Sequence, residues 1–356
     1  MFIALIAAAV TVFIIPFDSQ YAGYFDLKTL ACLFSVLAVV CALRNVRFFY
    51  WLALRVVRTF KTMRLCALAL VYVTFIGSML IANDMALLTF LPLGFYVLKV
   101  SGKEKYMAVL FILQNIAANL GGMLTPFGNP QNLYLYSKFN IPDGEFVSVM
   151  LPSFLLSIVM FTLCCVIFFR NERIDVPNEN IRPEPLRVSL YLVLFALSIV
   201  MVFRFIPYYI GLAVIFTVLL FADKKALAKV DYPLLLTFVF FFVFAGNMAR
   251  IAPVREFLTS LLEKNTLLFS TLSCQFISNV PSAILLSQFT NDYRSLLVGV
   301  NIGGTGTLIA SLASLITFRE YTKHNKGKAL SYLAKFSAFN FAFLAILLIF
   351  NLFVFK

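Results

Sequence analysis

The chain has 356 residues, 62% of them hydrophobic and only 13% charged, where a soluble domain carries about 25% charged residues. Its apolar runs are as long as a bilayer is thick, which excludes a soluble core and identifies an all-α polytopic membrane protein. The net charge of +13 sits almost wholly in short loops between those runs, so it reads as membrane topology and not as a nucleic-acid partner.

In chain order, about nine crossings are expected, at 2–16, 27–43, 107–136, 146–169, 188–206, 208–222, 233–249, 295–318 and 329–355. The first run lacks a basic start and an Ala-x-Ala site before Pro16, so it is read as a helix and not as a signal peptide. Two further apolar stretches, 65–98 and 266–290, carry polar kinks at Ala82-Asn83-Asp84 and Ser278-Asn279-Val280-Pro281. The arms of the second, 266–277 and 283–290, reach only about 18 and 12 Å at 1.5 Å per residue. They cannot span a core of roughly 30 Å, so a re-entrant hairpin is expected. The first stretch has longer arms and fits either a hairpin or two full crossings. Charged amphipathic pieces at 47–64 and 254–264 precede the two hairpins and read as interfacial. The polar, Pro-rich stretch 170–187 reads as a linker between halves 1–169 and 188–356.

Loop charge orients these elements. With the N-terminus cytoplasmic, the cytoplasmic segments hold 20 Lys and Arg and the external ones eight, and Lys335 snorkels from the last helix. The two hairpins then enter from opposite sides, giving two inverted repeats, each with a re-entrant hairpin (65–98, 266–290) and a broken helix (107–136, 295–318). The C-terminus is expected outside.

A repeat at an offset of 182 supports this division. Residues 119–133 (Asn-Leu-Gly-Gly-Met-Leu-Thr-Pro-Phe-Gly-Asn-Pro-Gln-Asn-Leu) align with 301–315 (Asn-Ile-Gly-Gly-Thr-Gly-Thr-Leu-Ile-Ala-Ser-Leu-Ala-Ser-Leu). Asn119/Asn301, Gly121/Gly303, Gly122/Gly304, Thr125/Thr307 and Leu133/Leu315 coincide, and Asn129 and Asn132 meet Ser311 and Ser314. Glycines and prolines here interrupt a helix in mid-crossing, and such breaks in matching positions of inverted halves point to a transporter's site. A break exposes carbonyls that suit a cation and N–H groups that suit an anion.

The candidate substrate and ion ligands are therefore Asn83, Asp84, Ser278, Asn279 and Ser282 at the tips. At the breaks they are Asn119, Thr125, Gly128, Asn129, Asn132, Asn301, Gly304, Thr305, Thr307, Ser311 and Ser314. As structural glue, each polar side chain would link helices at about 0.6–2 kcal/mol. Asp84 is the only acidic residue expected at depth, and it suits Na+ or H+ as a coupling ion. Cys32, Cys41, Cys66, Cys164, Cys165 and Cys274 all fall in apolar runs without metal-ligand spacing. No cofactor, no metal centre and no enzymatic nucleophile–base pair is expected. His324 reads as a solvated loop residue.

These motifs resemble the ion transporter superfamily, which includes citrate and divalent-anion:sodium symporters and arsenite permeases. The similar stretches are 59–98 with Asn83-Asp84, 119–133, 278–286 with Ser-Asn-Val-Pro, and 300–316. The chain is most like bacterial citrate-transporter-like proteins of the inner membrane. The resemblance implies ion-coupled transport of a small anionic solute, citrate- or dicarboxylate-like or an inorganic oxyanion, by an elevator motion in a homodimer within lipid. Dicarboxylate symporters carry Ser-Asn-Thr at both tips. Here Ala82-Asn83-Asp84 and Ser278-Asn279-Val280 lack the Thr hydroxyls, and the Asn-Asp pair is similar to the arsenite permeases. The first half is one helix short at its N-terminus. Arsenite or antimonite efflux is the second reading, and a channel-like or scaffold protein the third.

Overall fold

The computed structural model describes residues 1–174 and 181–355, so part of the expected linker, 175–180, lies outside the described residues. Among the described residues the chain is helical, with one isolated β-bridge between Thr62 and Arg173. In order the helices are α1 (Phe2–Ile14), α2 (Leu27–Asn45), α3 (Phe48–Arg58), α4 (Met63–Ile81), α5 (Asn83–Val100), α6 (Met107–Gly121), α7 (Pro130–Lys138) and α8 (Asp143–Phe168). The second half follows with α9 (Pro185–Val202), α10 (Tyr208–Ala222), α11 (Lys224–Ala228), α12 (Tyr232–Arg250), α13 (Ala252–Ile277), α14 (Asn279–Leu286), α15 (Tyr293–Ile302), α16 (Leu312–His324) and α17 (Ala329–Val354). Eight of these elements are long and apolar enough to cross a bilayer, and α1 and α10 are shorter apolar helices. Seven of the nine expected crossings are single helices, and the other two are the broken pairs α6–α7 and α15–α16.

Local chemistry starts and stops these helices. Asp26, Asp223, Asp231 and Asp292 each accept a backbone N–H from the first turn of α2, α11, α12 and α15, which satisfies donors that no turn precedes. Proline occupies the first positions of α7, α9, α12 and α13, where its missing N–H costs nothing.

Both expected hairpins form, with shifted boundaries. The arms of the first, α4 and α5, are 19 and 18 residues long, about 28 and 27 Å. By length they could cross, yet their tip stops at the first break. There Asn83 Nδ2 donates to Asn119 Oδ1 at 3.1 Å and Thr125 Oγ1 donates to Met79 O at 2.7 Å. In the second hairpin, an extended Asn265 (φ −167°) separates the amphipathic 252–264 from the arm 266–277. The polar kinks are narrower than the sequence suggests. Asn83-Asp84 and Asn279–Ser282 are the first turns of α5 and α14, and the irregular part is one residue at each tip. Ala82 (φ 62°, ψ 152°) and Ser278 (φ 76°, ψ 158°) adopt nearly the same conformation. That region is close to glycine-only, and holding a side chain there costs on the order of 1–3 kcal/mol.

The two halves run in opposite directions. Asn325, just after α16, donates to Met107 Sδ at the start of α6. At the opposite face Lys138, ending α7, donates to Gln288 Oε1 at 3.0 Å. There too Tyr293 and Arg294, beginning α15, bind Glu145 at 2.6 and 2.7 Å. The broken helices are therefore antiparallel. Around them α4, α5, α8, α13, α14 and α17 form one packed group, while α2 packs with α9 and α10, and α1 with α12. The groups meet where α7 and α14 touch α2 and α12.

The two ends of the expected linker are structured, and one expectation, for His324, is corrected. The linker start is docked: Met63 N donates to Glu172 O, Ile174 N to Lys61 O, and Lys103 and Lys105 both pair with Glu172. Lys103 beside it holds the Glu172 carboxyl below the ordinary glutamate range. The linker end is helical, since α9 begins at Pro185. His324 is not simply solvated. Its ring stacks on Phe95 of α5 at 3.6 Å, and Nε2 lies 3.0 Å from Glu320 Oε1.

The strained tip gives a test. Ala82→Val adds a β-branch where φ is positive and should destabilise the protein by about 1–3 kcal/mol. Ala82→Gly should not. Thermal unfolding in detergent separates these outcomes, and equal losses for both would remove the strain assignment.

Candidate functional site

Eight helix ends meet in the middle of the molecule. Four are C-terminal ends, of α4, α6, α13 and α15, and four are N-terminal ends, of α5, α7, α14 and α16. The C-terminal ends are closed by side chains. Thr125 Oγ1 donates to Met79 O in the last turn of α4, and Thr307 Oγ1 donates to Gln275 O at 2.9 Å in the last turn before Ser278. Met79 and Gln275 each lie three residues before a tip, and Thr125 and Thr307 are repeat equivalents, so one hydroxyl pins each tip to its break. Asn132 Nδ2 lies at 3.0, 3.3 and 3.3 Å from the carbonyls of Gly122, Met123 and Thr125. Gln275 Nε2 takes those of Gly303 and Thr305 at 2.9 and 3.1 Å, and its Oε1 accepts Thr307 N. The expectation of cavity-facing carbonyls is therefore corrected: these carbonyls are engaged by amides and hydroxyls.

The two breaks are cross-linked with pseudo-twofold symmetry. Asn119 Oδ1 accepts Ser311 Oγ at 2.8 Å, and its repeat equivalent Asn301 accepts, at Oδ1, Asn129 Nδ2 at 3.1 Å. Asn301 Nδ2 donates to Asn132 Oδ1 at 2.6 Å, while Asn115 Nδ2 reaches Ser314 Oγ at 3.4 Å. All of these side chains are buried. The tips repeat the pattern: Asn83 Oδ1 and Asn279 Oδ1 each accept the next backbone N–H at 2.9 Å. Asn279 N donates to Ala310 O at 3.0 Å, and Ser278 Oγ to the same carbonyl at 3.2 Å.

The four N-terminal ends face a cavity of about 420 Å³. Its wall includes Asn83 and Asp84 of α5, Pro130 and Gln131 of α7, Asn279–Pro281 of α14, and Ser311 and Leu312 at α16. It extends to Met1 and Asp231 at the starts of α1 and α12. Among the described residues, no Lys, Arg or His lines it. Much of the rest of the wall is apolar, from Ile277, Ile309, Leu315, Leu234 and Phe241. Two oxygens there have no hydrogen-bond partner, Asp84 Oδ1 and Gln131 Oε1.

Of the residues singled out from sequence, Asn83, Asp84, Ser278, Asn279 and Ser311 line the cavity. Asn119, Asn129, Asn132, Asn301, Ser314, Thr125 and Thr307 form the network behind it. Thr305 Oγ1 bonds back to Ile302 O at 2.6 Å, and Ser282 Oγ lies 2.9 Å from Ser273 Oγ. Gly128 and Gly304 are close-approach positions: a Cβ at 128 would lie 2.6 Å from Thr125 Oγ1, and one at 304 would lie 3.1 Å from Asn279 Nδ2. Sequence reasoning missed Gln131, Asp231, Asn115 and Gln275. Gln131 lay inside the repeat motif and was readable there. Asp231 sits beside the basic 223–229 loop, and nothing local separates it from a solvated cap.

A family model described as citrate transporter matches residues 1–292. The chain is 33% identical over 294 residues to an uncharacterised transporter of Methanocaldococcus jannaschii, covering 82% of this chain and 80% of the relative. It is 27% identical over 317 residues to the inner membrane protein YbiR of Escherichia coli, covering 86% and 83%. A shorter match, 30% over 156 residues, reaches the silicon efflux transporter LSI3 of Oryza sativa subsp. japonica, covering 43% of this chain and 31% of that protein. The chain belongs to the citrate transporter family and is a multi-pass membrane transporter.

The cross-links predict a specific cost. Asn301→Leu would leave Asn132 Oδ1 without its donor and Gln131 Nε2 without its acceptor, both buried, at about 1–3 kcal/mol for each orphaned group, while Asn129 Nδ2 keeps Asn119 O. The melting temperature should fall and transport should be lost. A variant as stable as the wild type would show that the breaks are held together by packing alone.

Proposed function

We propose that the chain is an ion-coupled secondary carrier of a small anion. The observation that carries this reading is the convergence of four helix N-termini on one cavity without a basic side chain. Each N-terminus presents roughly half a positive charge, and in a water-poor site such dipoles act more strongly than in water. They suit a carboxylate or an oxyanion. Asp84 and Asp231 on the same wall would repel that anion unless a cation were taken up as well, so the two ions are expected to travel as a set.

The packed group that contains the tips and breaks is the natural moving body, and α1, α2, α9, α10 and α12 the frame. Their meeting surface includes Tyr134 and Phe242, whose rings lie 5.5 Å apart. Beside them Tyr134 Oη lies 2.9 Å from Ser287 Oγ. With the basic loops cytoplasmic, the cavity reaches from the tips toward the inner face, where Met1 and Asp231 stand. The location that follows is a bacterial inner membrane. A second reading, efflux of arsenite or antimonite, is favoured by the carboxylate of Asp84 where a symporter tip has no acid.

Proteoliposomes test the class directly. A carrier loaded with unlabelled solute should accelerate uptake of labelled solute, and a channel should not. Gly304→Leu pushes Asn279 away from the second break and should abolish that exchange. Uptake without trans-stimulation would remove the carrier reading.

A further inference from the structure

Between α2 of the frame and α4 of the packed group the chain runs through α3, and two sides of α3 meet different surroundings. Leu52 and Val56 turn to an apolar groove shared with Leu65, Ile76 and Leu80 of α4. All five side chains are exposed on the protein, which is where hydrocarbon belongs. Residues 51, 54, 55 and 58 form a separate stripe at helical spacing. There Trp51, Leu54, Arg55 and Arg58 line a cavity of about 420 Å³, and Arg182, between Ile181 and Pro183 at the end of the linker, closes it. Among the described residues, no acidic side chain lines this cavity. Arg55 Cζ lies 5.2 Å from the centre of the Trp51 ring, a contact that uses none of the guanidinium's hydrogen-bond donors.

A helix with lipid-facing leucine and valine on one side and arginines on another lies at the depth of lipid headgroups. Three guanidinium groups gathered at that depth from two separate segments suit phosphate oxygens, which arginine grips through paired hydrogen bonds. The lone tryptophan of the chain stands among them, and tryptophan is a residue type that settles at the membrane interface. A zwitterionic headgroup brings its own ammonium, which the arginines repel. A net negative headgroup does not. A soluble phosphate compound would gain nothing from the apolar groove that fixes this depth.

We propose that Trp51, Arg55, Arg58 and Arg182 form a site for the headgroup of an anionic phospholipid such as phosphatidylglycerol. Arg182 leads into α9 of the frame, while α3 leads from the frame to the packed group. A lipid held by both therefore fastens the connecting arm to the frame. The site is separate from the solute cavity and holds whatever solute is carried.

Trp51 is also the reporter. The purified full chain is placed in phosphatidylcholine nanodiscs, whose two faces are both open to the buffer. Part of the lipid is then replaced by brominated phosphatidylglycerol or brominated phosphatidylcholine, whose bromines quench nearby tryptophan. Phosphatidylglycerol should quench at a lower mole fraction, by about fivefold for each engaged arginine, and should saturate. Arg55→Gln combined with Arg182→Gln should bring the two lipids to parity. Lys224→Gln combined with Lys225→Gln removes as much charge from another basic loop and should leave the preference as it is. Equal quenching by the two lipids in the wild type overturns the site. So does a preference that survives the double arginine change, or one that falls as far in the lysine variant, since bulk surface charge would then account for it. Millimolar inorganic phosphate should not displace the lipid. Displacement would give the cavity to a soluble phosphate compound and overturn the lipid assignment.

Discussion

Backbone that stops inside a bilayer has no water to bond to, and the rest of this structure follows from how that shortage is met. Two hairpins and two broken helices bring eight helix ends to one depth. The chain closes the C-terminal ends with its own side chains, Thr125, Thr307, Asn132 and Gln275. It leaves the N-terminal ends turned toward a shared cavity. Side chains cap the N-terminal ends as well, through Asn83, Asn279 and Ser311, but these are the ends that line the cavity. Their dipoles oppose the Asp84 and Asp231 carboxylates on a wall that carries no lysine or arginine among the described residues.

That solution explains why so many polar residues are gathered in an apolar protein. Asn119 and Asn301 act as paired rivets between the breaks, and the strained Ala82 and Ser278 let each hairpin reverse within one residue. A strained tip held by one threonine and one asparagine is a rigid object, so the tips and breaks are suited to move together as a body. Glu172 ties the end of α8 to the base of the first hairpin in the same group. Between this group and the frame, Arg204 donates to Tyr136 O at 2.7 Å, Arg44 Nη1 lies 3.7 Å from Met85 Sδ, and the Tyr134 and Phe242 rings pack together.

Much of this was legible in the sequence, for physical reasons. A helix cannot pass Gly-Gly and Pro126, Gly128 and Pro130 unbroken, so the first break is written in residue types. The second hairpin could be read because arms of twelve and eight residues are too short to cross. The first could not, since arms of nearly full crossing length become a hairpin only through the contacts of Asn83 and Met79. The tips were read as several residues wide because positive φ at an alanine or serine leaves no compositional trace. The carbonyls were expected to face the cavity, since nothing local to Gln275 shows that its amide reaches residues 303 and 305. Asp231 was missed for the same reason: its place beside Asp84 is set by the packing of α12 against the second hairpin.

If the helix N-termini on the cavity wall hold the anion, a charge placed at one of them disturbs its binding most directly. Leu312, at the first position of α16, lines the cavity and is 46% exposed. Leu312→Asp suits a helix start, so the fold should persist, while its carboxylate competes with a bound anion. The measurement is the citrate dissociation constant of purified protein, from thermal shifts, for Leu312→Asp against the neutral, near-isosteric Leu312→Asn. At about 1.4 kcal/mol per tenfold, one added charge in this setting should weaken binding at least tenfold in the aspartate variant relative to the asparagine one. Equal affinity in the two, with citrate bound by both, would contradict the account.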